Sequence, residues 1–171
     1  TDYLVLDDSI LKLFETKWDY KLMHHNTDEN GPSYEMMGAN SLPFVWATVV
    51  LFRKCPRSQL FFEMVGRIQR NYNYYRLLYN IRDGNYRNDY AFAISNIILN
   101  GYAICEEQGI PWPIYSSEKS VQSIDIDSDF LKIKYHNSAT VIPRQCVHLI
   151  DKQYLLSDNF KQLIEVAIES A

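Results

Sequence analysis

Acidic side chains around the first apolar run could bind a divalent cation. Asp2 precedes Tyr3 to Leu6, and Asp7 and Asp8 follow it. Such a run predicts a buried strand, and carboxylates at a strand end are hard oxygen ligands suited to Mg²⁺ or Mn²⁺. The structural alternative is that Asp8 or Ser9 caps the helical turn that follows.

A histidine and a lysine near the other end of the chain suit the same chemistry. His148 and Lys152 occupy alternate-face positions of a predicted short strand, from which they can project toward a common cleft. An imidazole can bind Mn²⁺, and a lysine can contact a phosphate as a point charge. A single histidine is otherwise more often structural, and His24-His25 lacks the carboxylate spacing of a metal site.

Two further segments offer places where a ligand can approach. Arg87, Asn88 and Asp89 gather where a helix is predicted to begin, and polar ligands bind well at that positive end. Asp89 can equally cap the helix. Ala47 and Thr48 lie in an apolar run, where a small residue lets a ligand reach the backbone, although plain core packing explains them too.

These residues need a scaffold, and the hydrophobic pattern predicts an α/β fold. Phe44 to Phe52 is apolar without polar alternation, as in a central strand buried on both faces. Apolar steps of three and four residues predict a helix from about Ser58 to Tyr79. Helices are also predicted from about Asp89 to Leu99 and about Asp158 to Ser170, and Val121 to Tyr135 predicts a β-hairpin with a solvated face.

The order of these elements predicts a mixed β-sheet flanked by helices. His24 to Ser41 is polar and predicts a loop long enough to be functional. No internal repeat or linker-like change in composition divides the chain, so residues 1–171 are expected to form a single domain.

Composition and charge argue against several classes of protein. Apolar residues make up 47% of the chain, which excludes disorder, and the net charge of -4 argues against a duplex nucleic-acid binder. The three cysteines lack CxxC spacing and favour buried free thiols in a reducing compartment. The longest apolar run is too short for a membrane span, and no signal-peptide pattern is seen. A cytoplasmic location is expected, in the host if the protein is viral.

Taken in order, the four segments resemble landmarks of GT-A-fold glycosyltransferases, in particular the glycogenin-like and bacterial galactosyltransferase-like group. The metal motif of that family continues as D-x-D-x-L-V-L-x-D and a loop helix with Leu-Phe. Thr1 to Asp8 with Leu13-Phe14 is similar, Asp2 matching the second Asp. Phe44 to Phe52 resembles the strand F-N-x-G-V-x-L-F that contacts the donor sugar, with Trp46-Ala47-Thr48 in place of Asn-x-Gly.

The later landmarks follow in the same order. Asn88 to Phe92 is similar to the acidic D-Q-x-x-x-N-like helix start, without the Gln, and Val147 to Lys152 is similar to the strand with a metal-binding His and a following Lys. The whole chain also looks like uncharacterised phage-type proteins described as nucleotide-diphospho-sugar transferases, through FVWATVVLFRK, YRNDYAFAI and HLIDK.

The resemblance implies sugar transfer from a nucleotide-diphosphate sugar to a carbohydrate or other hydroxyl acceptor. It implies that Asp2 and His148 hold Mn²⁺ or Mg²⁺ and that Lys152 contacts the departing diphosphate. Retention of stereochemistry would follow from the glycogenin-like group. The nucleotide-binding N-terminal half of the family has no counterpart before Thr1, so the chain is expected to be the C-terminal, acceptor and metal side of such an enzyme.

The resemblance also assigns residues to the sugar. Ala47 and Thr48 would border the donor sugar. Asp89 would be the catalytic residue that, with Arg87 and Asn88, orients the donor sugar or the acceptor hydroxyl.

Two other functions remain open. A non-catalytic phage-type accessory or structural protein could keep the scaffold, as the departures at Trp46-Ala47-Thr48 and at the absent Gln suggest. Single-stranded nucleic acid could stack on the tyrosines of Arg70 to Arg82. Because several of those tyrosines continue the apolar face of a helix and the net charge is negative, no nucleic-acid partner is expected.

Overall fold

The structure, a computed structural model, describes residues 3–28, 30–33, 36–37, 42–117 and 119–169, without the side chains of residues 33, 36, 37, 106 and 166–169. The strands are β1 (Tyr3–Leu4), β2 (Tyr20–Met23), β3 (Asn26–Asp28), β4 (Gly31–Ser33), β5 (Met36–Met37), β6 (Leu42–Pro43), β7 (Trp46–Phe52), β8 (Ile114–Ser117), β9 (Val121–Ile126), β10 (Phe130–Tyr135), β11 (Ala139–Pro143) and β12 (Val147–Leu149). The helices are α1 (Ser9–Lys12), α2 (Pro56–Arg70), α3 (Tyr72–Leu78), α4 (Asn88–Leu99), α5 (Lys152–Leu155) and α6 (Asp158–Glu169). The protein is therefore mixed α/β, as predicted.

The chain divides into two compact units. The first contains the described parts of residues 1–16, 26–32 and 114–171, and the second contains those of 17–25 and 33–113. The expectation of one domain over residues 1–171 stays a prediction. In the described part of the chain, no helix combines the length and apolar character needed to cross a membrane.

The first unit holds a mixed sheet, as predicted. Its five strands lie in the order β1-β12-β8-β3-β4, with β8 parallel to both β12 and β3 and with β1 antiparallel to β12. A separate antiparallel sheet has the order β11-β10-β9. Its β9–β10 pair confirms the predicted hairpin: Ile133 faces Ile124 and is buried, whereas Lys134 pairs with Asp125 at the surface.

The second unit is built around helices. Helix α4 packs against α2, β6 and β7, and the buried side chains include Phe61, Ile68 and Ile94. The prediction that Phe44 to Phe52 is a central strand buried on both faces is wrong. Among the described residues, strand β7 pairs only with β2, in a two-stranded sheet, and its Phe52 is 52% exposed. A run of apolar residues does not show whether neighbouring strands or helices cover it. The number of strands that pair with β7 could therefore not be predicted from the run alone.

The predicted long helix is two helices. It breaks at Asn71, whose backbone angles are φ -121° and ψ 32°, and the Asn71 side-chain Nδ2 donates to the carbonyl of Arg67 at 2.9 Å. An Asn side chain that bonds a helix carbonyl in this way competes with the backbone ladder. The apolar face nevertheless continues through the break, since Tyr72 and Tyr75 are buried like Phe61, while Leu60, expected on that face, is 49% exposed.

Smaller expectations also changed. The predicted loop from His24 to Ser41 contains β3, β4 and β5, and residues 34–35 and 38–41 lie outside the described ones. Neither Asp8 nor Ser9 caps α1 with its side chain; instead Asp7 Oδ1 accepts a bond from the Ser9 backbone N–H at 2.9 Å. Cys146 is a buried free thiol as predicted, whereas Cys55 and Cys105 are only half-buried.

Candidate functional site

Three neighbouring strands of the first unit place His148 beside the start of the chain. Strand β1 pairs with β12 so that Tyr3 lies opposite His148, and β12 pairs with β8 so that His148 lies opposite Ser116. Residues directly opposite one another project from the same face of a sheet. Tyr3, His148 and Ser116 therefore form a row across three strands.

The His148 ring is held by its serine neighbour. Its Nδ1 lies 2.9 Å from Ser116 Oγ, and Ser116 itself is buried while His148 is half-buried. When Nδ1–H donates to Ser116 Oγ, Nε2 carries the ring's lone pair, which is the tautomer needed for binding a metal. A bond of this type orients a histidine ligand in many metal sites.

A second group of polar side chains lies next to this row. Cys146 lies two residues before His148 on the chain, and its Sγ donates to Asp7 Oδ1 at 3.7 Å. Burial raises the pKa of the Tyr3 hydroxyl, and the neighbouring Cys146 and Asp7 raise it further. Tyr3 is therefore kept neutral, since a phenolate would be desolvated beside a carboxylate.

Lys152 does not lie in the strand that carries His148. Strand β12 ends at Leu149, and Lys152 is the exposed first residue of α5. The helix begins there because Asp151 caps it: Asp151 Oδ1 accepts from the Gln153 and Tyr154 backbone N–H groups at 3.0 and 3.1 Å. The prediction that Lys152 projects from a strand is wrong, and its contact with a diphosphate stays a prediction.

In the second unit, Asp89 binds two partners. Its Oδ1 accepts from the Ala47 backbone N–H at 2.9 Å, which joins the first turn of α4 to β7. Its Oδ2 accepts from Arg87 Nε and Nη2 at 2.9 and 2.8 Å. Burial opposes the charge on Arg87, but the Asp89 carboxylate outweighs it and raises the pKa of the guanidinium. We call Ala47, Arg87 and Asp89 the α4 bracket.

Aromatic rings surround the α4 bracket. The Arg87 guanidinium lies 5.8 Å from the centre of the Phe44 ring and 5.5 Å from that of Tyr90. Phe44 contacts Trp46 edge-on at 5.0 Å. The Trp46 indole Nε1 is buried and has no hydrogen-bond partner among the described residues. Such an unsatisfied donor calls for a physical explanation, and a bound ligand would provide one.

The remaining predicted residues are distributed as follows. Asn88 is exposed and accepts a bond from the Tyr86 hydroxyl at 2.9 Å, and Thr48 is half-buried in β7. Both belong to the second unit, with the α4 bracket, whereas His148 and Lys152 belong to the first.

The metal site can be tested only in part. Asp2 lies outside the described residues, and His148 is the one predicted ligand within them. The donor chemistry of His148 fits Mn²⁺, since an imidazole oriented by a hydrogen bond is an acceptable ligand. Within the described ranges, no three His, Cys, Asp or Glu side chains gather as they would around a metal ion.

Sequence reasoning missed two residues of these sites. Ser116 is one of two serines in β8, and only its register with His148 gives it significance. Asp151 looks like an ordinary surface acid, yet it caps α5 and its Oδ2 also accepts from the Val121 backbone N–H at 2.9 Å. The Asp in front of a short polar helix was the sequence feature that could have identified this cap.

Comparisons with known proteins add no family to this picture. No family model matches the chain, and no curated protein and no solved structure matches it either. The function is therefore inferred from the residues and their geometry.

Proposed function

We propose that the protein is part of a metal-dependent glycosyltransferase that moves a sugar from a nucleotide-diphosphate sugar to a hydroxyl acceptor. In this reaction the acceptor oxygen bonds the anomeric carbon, and the bond from that carbon to the diphosphate breaks. Mn²⁺ or Mg²⁺ would neutralise the charge on the leaving diphosphate. Asp2 and His148 are the residues proposed to hold it.

The pairing of β1 with β12 is the observation that carries this proposal. Asp2 and His148 are far apart in sequence, yet the strand that begins directly after Asp2 pairs with the strand that contains His148. The Ser116 bond then fixes the His148 ring. The segment that follows Asp2 is thus brought beside the strand that contains His148, which supports the proposal.

The α4 bracket has a positioning role in this proposal. Both carboxylate oxygens of Asp89 are already bonded, to Ala47 and to Arg87, so Asp89 orients Arg87 and the start of β7. The Trp46 indole N–H, buried and without a described partner, offers a donor to a sugar hydroxyl next to Ala47. Arg87, Asn88 and Thr48 complete the polar groups proposed to contact the sugar or the acceptor.

The same bracket favours one alternative. A carboxylate whose two oxygens are both bonded within the fold explains Asp89 without any substrate. The alternative is a non-catalytic phage-type accessory or structural protein with this scaffold. It predicts no binding of any nucleotide sugar.

Turnover of nucleotide sugars by the full-length protein tests the proposal. We expect Mn²⁺-dependent release of nucleoside diphosphate from at least one member of a donor panel. Asp2→Asn and His148→Gln should each reduce this rate at least about 100-fold, because each removes a ligand. His136→Gln is the matched control, since His136 is an exposed histidine of the same unit. Full activity in both ligand variants would refute the metal site, and no calorimetric heat with any donor would favour the non-catalytic alternative.

A further inference from the structure

A pocket in the second unit has a different chemistry from the sites above. It has a volume of about 510 Å³, within the range of about 300–1,000 Å³ that small-molecule sites occupy. Its walls are mainly apolar, from residues such as Ile97, Ile104 and Pro111. Its described lining contains no Lys, Arg, Asp or Glu. The described lining therefore offers a phosphate no lysine or arginine.

Helix α4 provides one wall. Ala93, Asn96 and Ile97 recur at three- and four-residue steps and line the pocket from one helix face. Ala93 leaves space because its side chain is short. Another wall comes from the segment between Ile104 and Pro111. Lys21 of β2 holds this segment, because its Nζ donates to the carbonyls of Glu107 and Gly109 at 2.9 and 3.3 Å.

A chain of hydrogen bonds fixes which way the Asn96 amide points. Arg57 can only donate, so the oxygen of the Asn100 amide faces Arg57 Nη2, at 2.8 Å. Asn100 Nδ2 then donates to Asn96 Oδ1 at 3.0 Å, and the Tyr20 hydroxyl donates to the same oxygen at 3.1 Å. The Asn96 oxygen is thus engaged, and its NH₂ group is the donor that Asn96 can offer to the pocket.

His24 offers the complementary group. Its Nδ1 lies 3.2 Å from the carbonyl oxygen of Phe44, and because a carbonyl only accepts, Nδ1 carries the hydrogen. Burial lowers the pKa of His24, which keeps the ring neutral. In that tautomer Nε2 is an acceptor. His24 therefore offers this pocket an acceptor and Asn96 offers it a donor, and the other polar side chains in its described lining are those of His25 and Cys105.

We propose that this pocket binds a small, uncharged heteroaromatic compound that presents one hydrogen-bond donor to His24 and one acceptor to Asn96. The apolar walls suit a flat ring, and a described lining without Lys, Arg, Asp or Glu favours an uncharged ligand over a phosphorylated one. The site is independent of the proposed sugar transfer, which uses His148 and the α4 bracket.

Two probes of nearly equal size distinguish this site from a purely apolar cavity. Both 7-azaindole and indole have a ring N–H, but only 7-azaindole has a ring acceptor. If Asn96 donates to that acceptor, 7-azaindole should bind the full-length protein about fivefold more tightly than indole. In a purely apolar cavity the order reverses, because the ring nitrogen of 7-azaindole loses its water without replacement. The indole-preferring order in the wild-type protein would overturn the proposal.

The Asn96→Asp variant tests the same point on the protein side. Aspartate keeps an oxygen for Tyr20 and Asn100 but replaces the NH₂ donor, so the preference for 7-azaindole should disappear. Retention of the fivefold preference would contradict the assignment.

Alkylation of the cysteines locates the binding site in the wild-type protein, so this test needs no variant. Cys105 lines the pocket and is half-buried, while Cys55 is a half-buried thiol outside it. Saturating 7-azaindole should slow iodoacetamide alkylation of Cys105 about fivefold or more and leave Cys55 unchanged. A maleimide adduct on Cys105 should abolish binding. Equal rates at Cys105 with and without the probe, or equal protection of both thiols, would overturn the proposal.

Discussion

His148 and Asp89 are both candidate ligand-binding residues in the sequence, yet the two residues are held in different ways. His148, in the first unit, is oriented through one ring nitrogen by the Ser116 hydroxyl. Asp89, in the second unit, has both oxygens bonded, one to the backbone of Ala47 and the other to Arg87. The Ser116 bond orients the His148 ring, whereas the two bonds of Asp89 join two elements of the fold.

Structural and functional polar residues can be distinguished by what their removal changes. A residue that joins two elements should affect stability strongly when it is removed. A residue that orients a ligand should affect binding more than stability.

Removing Asp89 should destabilise the second unit most. Asp89→Ala leaves the Ala47 N–H and the Arg87 guanidinium without their partner, and the Asp89 side chain is only 16% exposed. We expect a loss of about 2–3 kcal/mol in the free energy of unfolding by urea. The control is Glu63→Ala in the exposed face of α2, which should change stability by less than about 0.5 kcal/mol. Equal effects of the two variants would contradict the claim that Asp89 stabilises the fold by joining α4 to β7.

Removing Ser116 should act on metal binding more than on stability. Ser116→Ala deletes the hydroxyl that orients the His148 ring. Loss of such an orienting bond typically weakens metal affinity by about 10-fold or more. Mn²⁺ titration of the full-length protein measures the change, with Ser128→Ala in the exposed hairpin turn as the control. Unchanged affinity in Ser116→Ala would show that the Ser116 bond does not prepare His148 for a metal.

Lys152 tests whether an exposed residue contributes to donor binding. Because Lys152 is at the surface of the first turn of α5, Lys152→Ala should leave the urea midpoint unchanged. If Lys152 contacts the diphosphate, the KM for the donor should rise about fivefold at low salt. Lys161→Ala, on exposed α6, is the matched control. The same KM in both variants would remove Lys152 from the site.

His24 should give the smallest effect, a pH dependence of stability. Burial lowers its folded pKa below the ordinary value of 6.5, so the unfolded chain binds a proton more readily. The contribution of neutral His24 to stability is therefore fully present above pH 6.5. It is lost as the pH falls from that value toward the lower pKa of the folded state.

Urea midpoints at about pH 7.5 and about pH 5 measure this dependence. His24→Gln should lose less stability over this interval than the wild type, whereas His136→Gln should behave as the wild type does. A steeper loss in His24→Gln than in the wild type would show that the sign is wrong.

Local periodicity was sufficient for much of the fold. The hairpin strands, helix α4 and helix α6 lie where alternation and helical spacing placed them, because these elements expose one face and bury the other. The break at Asn71 and the partial exposure of β7 were not predicted. Both depend on what packs against the segment, and a single sequence does not contain that information.

The candidate site shows the same limit. His148 could be identified by residue type, but Ser116 becomes relevant only through the register of β8 with β12. Asp89 looked like a cap or a catalytic acid, and its bond to Ala47 joins residues far apart in sequence. The orientation of the Asn96 amide likewise depends on bonds contributed by Arg57, Asn100 and Tyr20, which no local pattern links.

Direct coordination of Mn²⁺ by His148 is the most direct test of the proposed function. Electron-spin-echo modulation of Mn²⁺ bound to the full-length protein detects a nitrogen in its coordination sphere. We predict nitrogen coupling in the wild type and in His136→Gln, and its loss in His148→Gln. Mn²⁺ bound without nitrogen coupling in the wild type, or coupling that persists in His148→Gln, would contradict the proposal that His148 is a metal ligand.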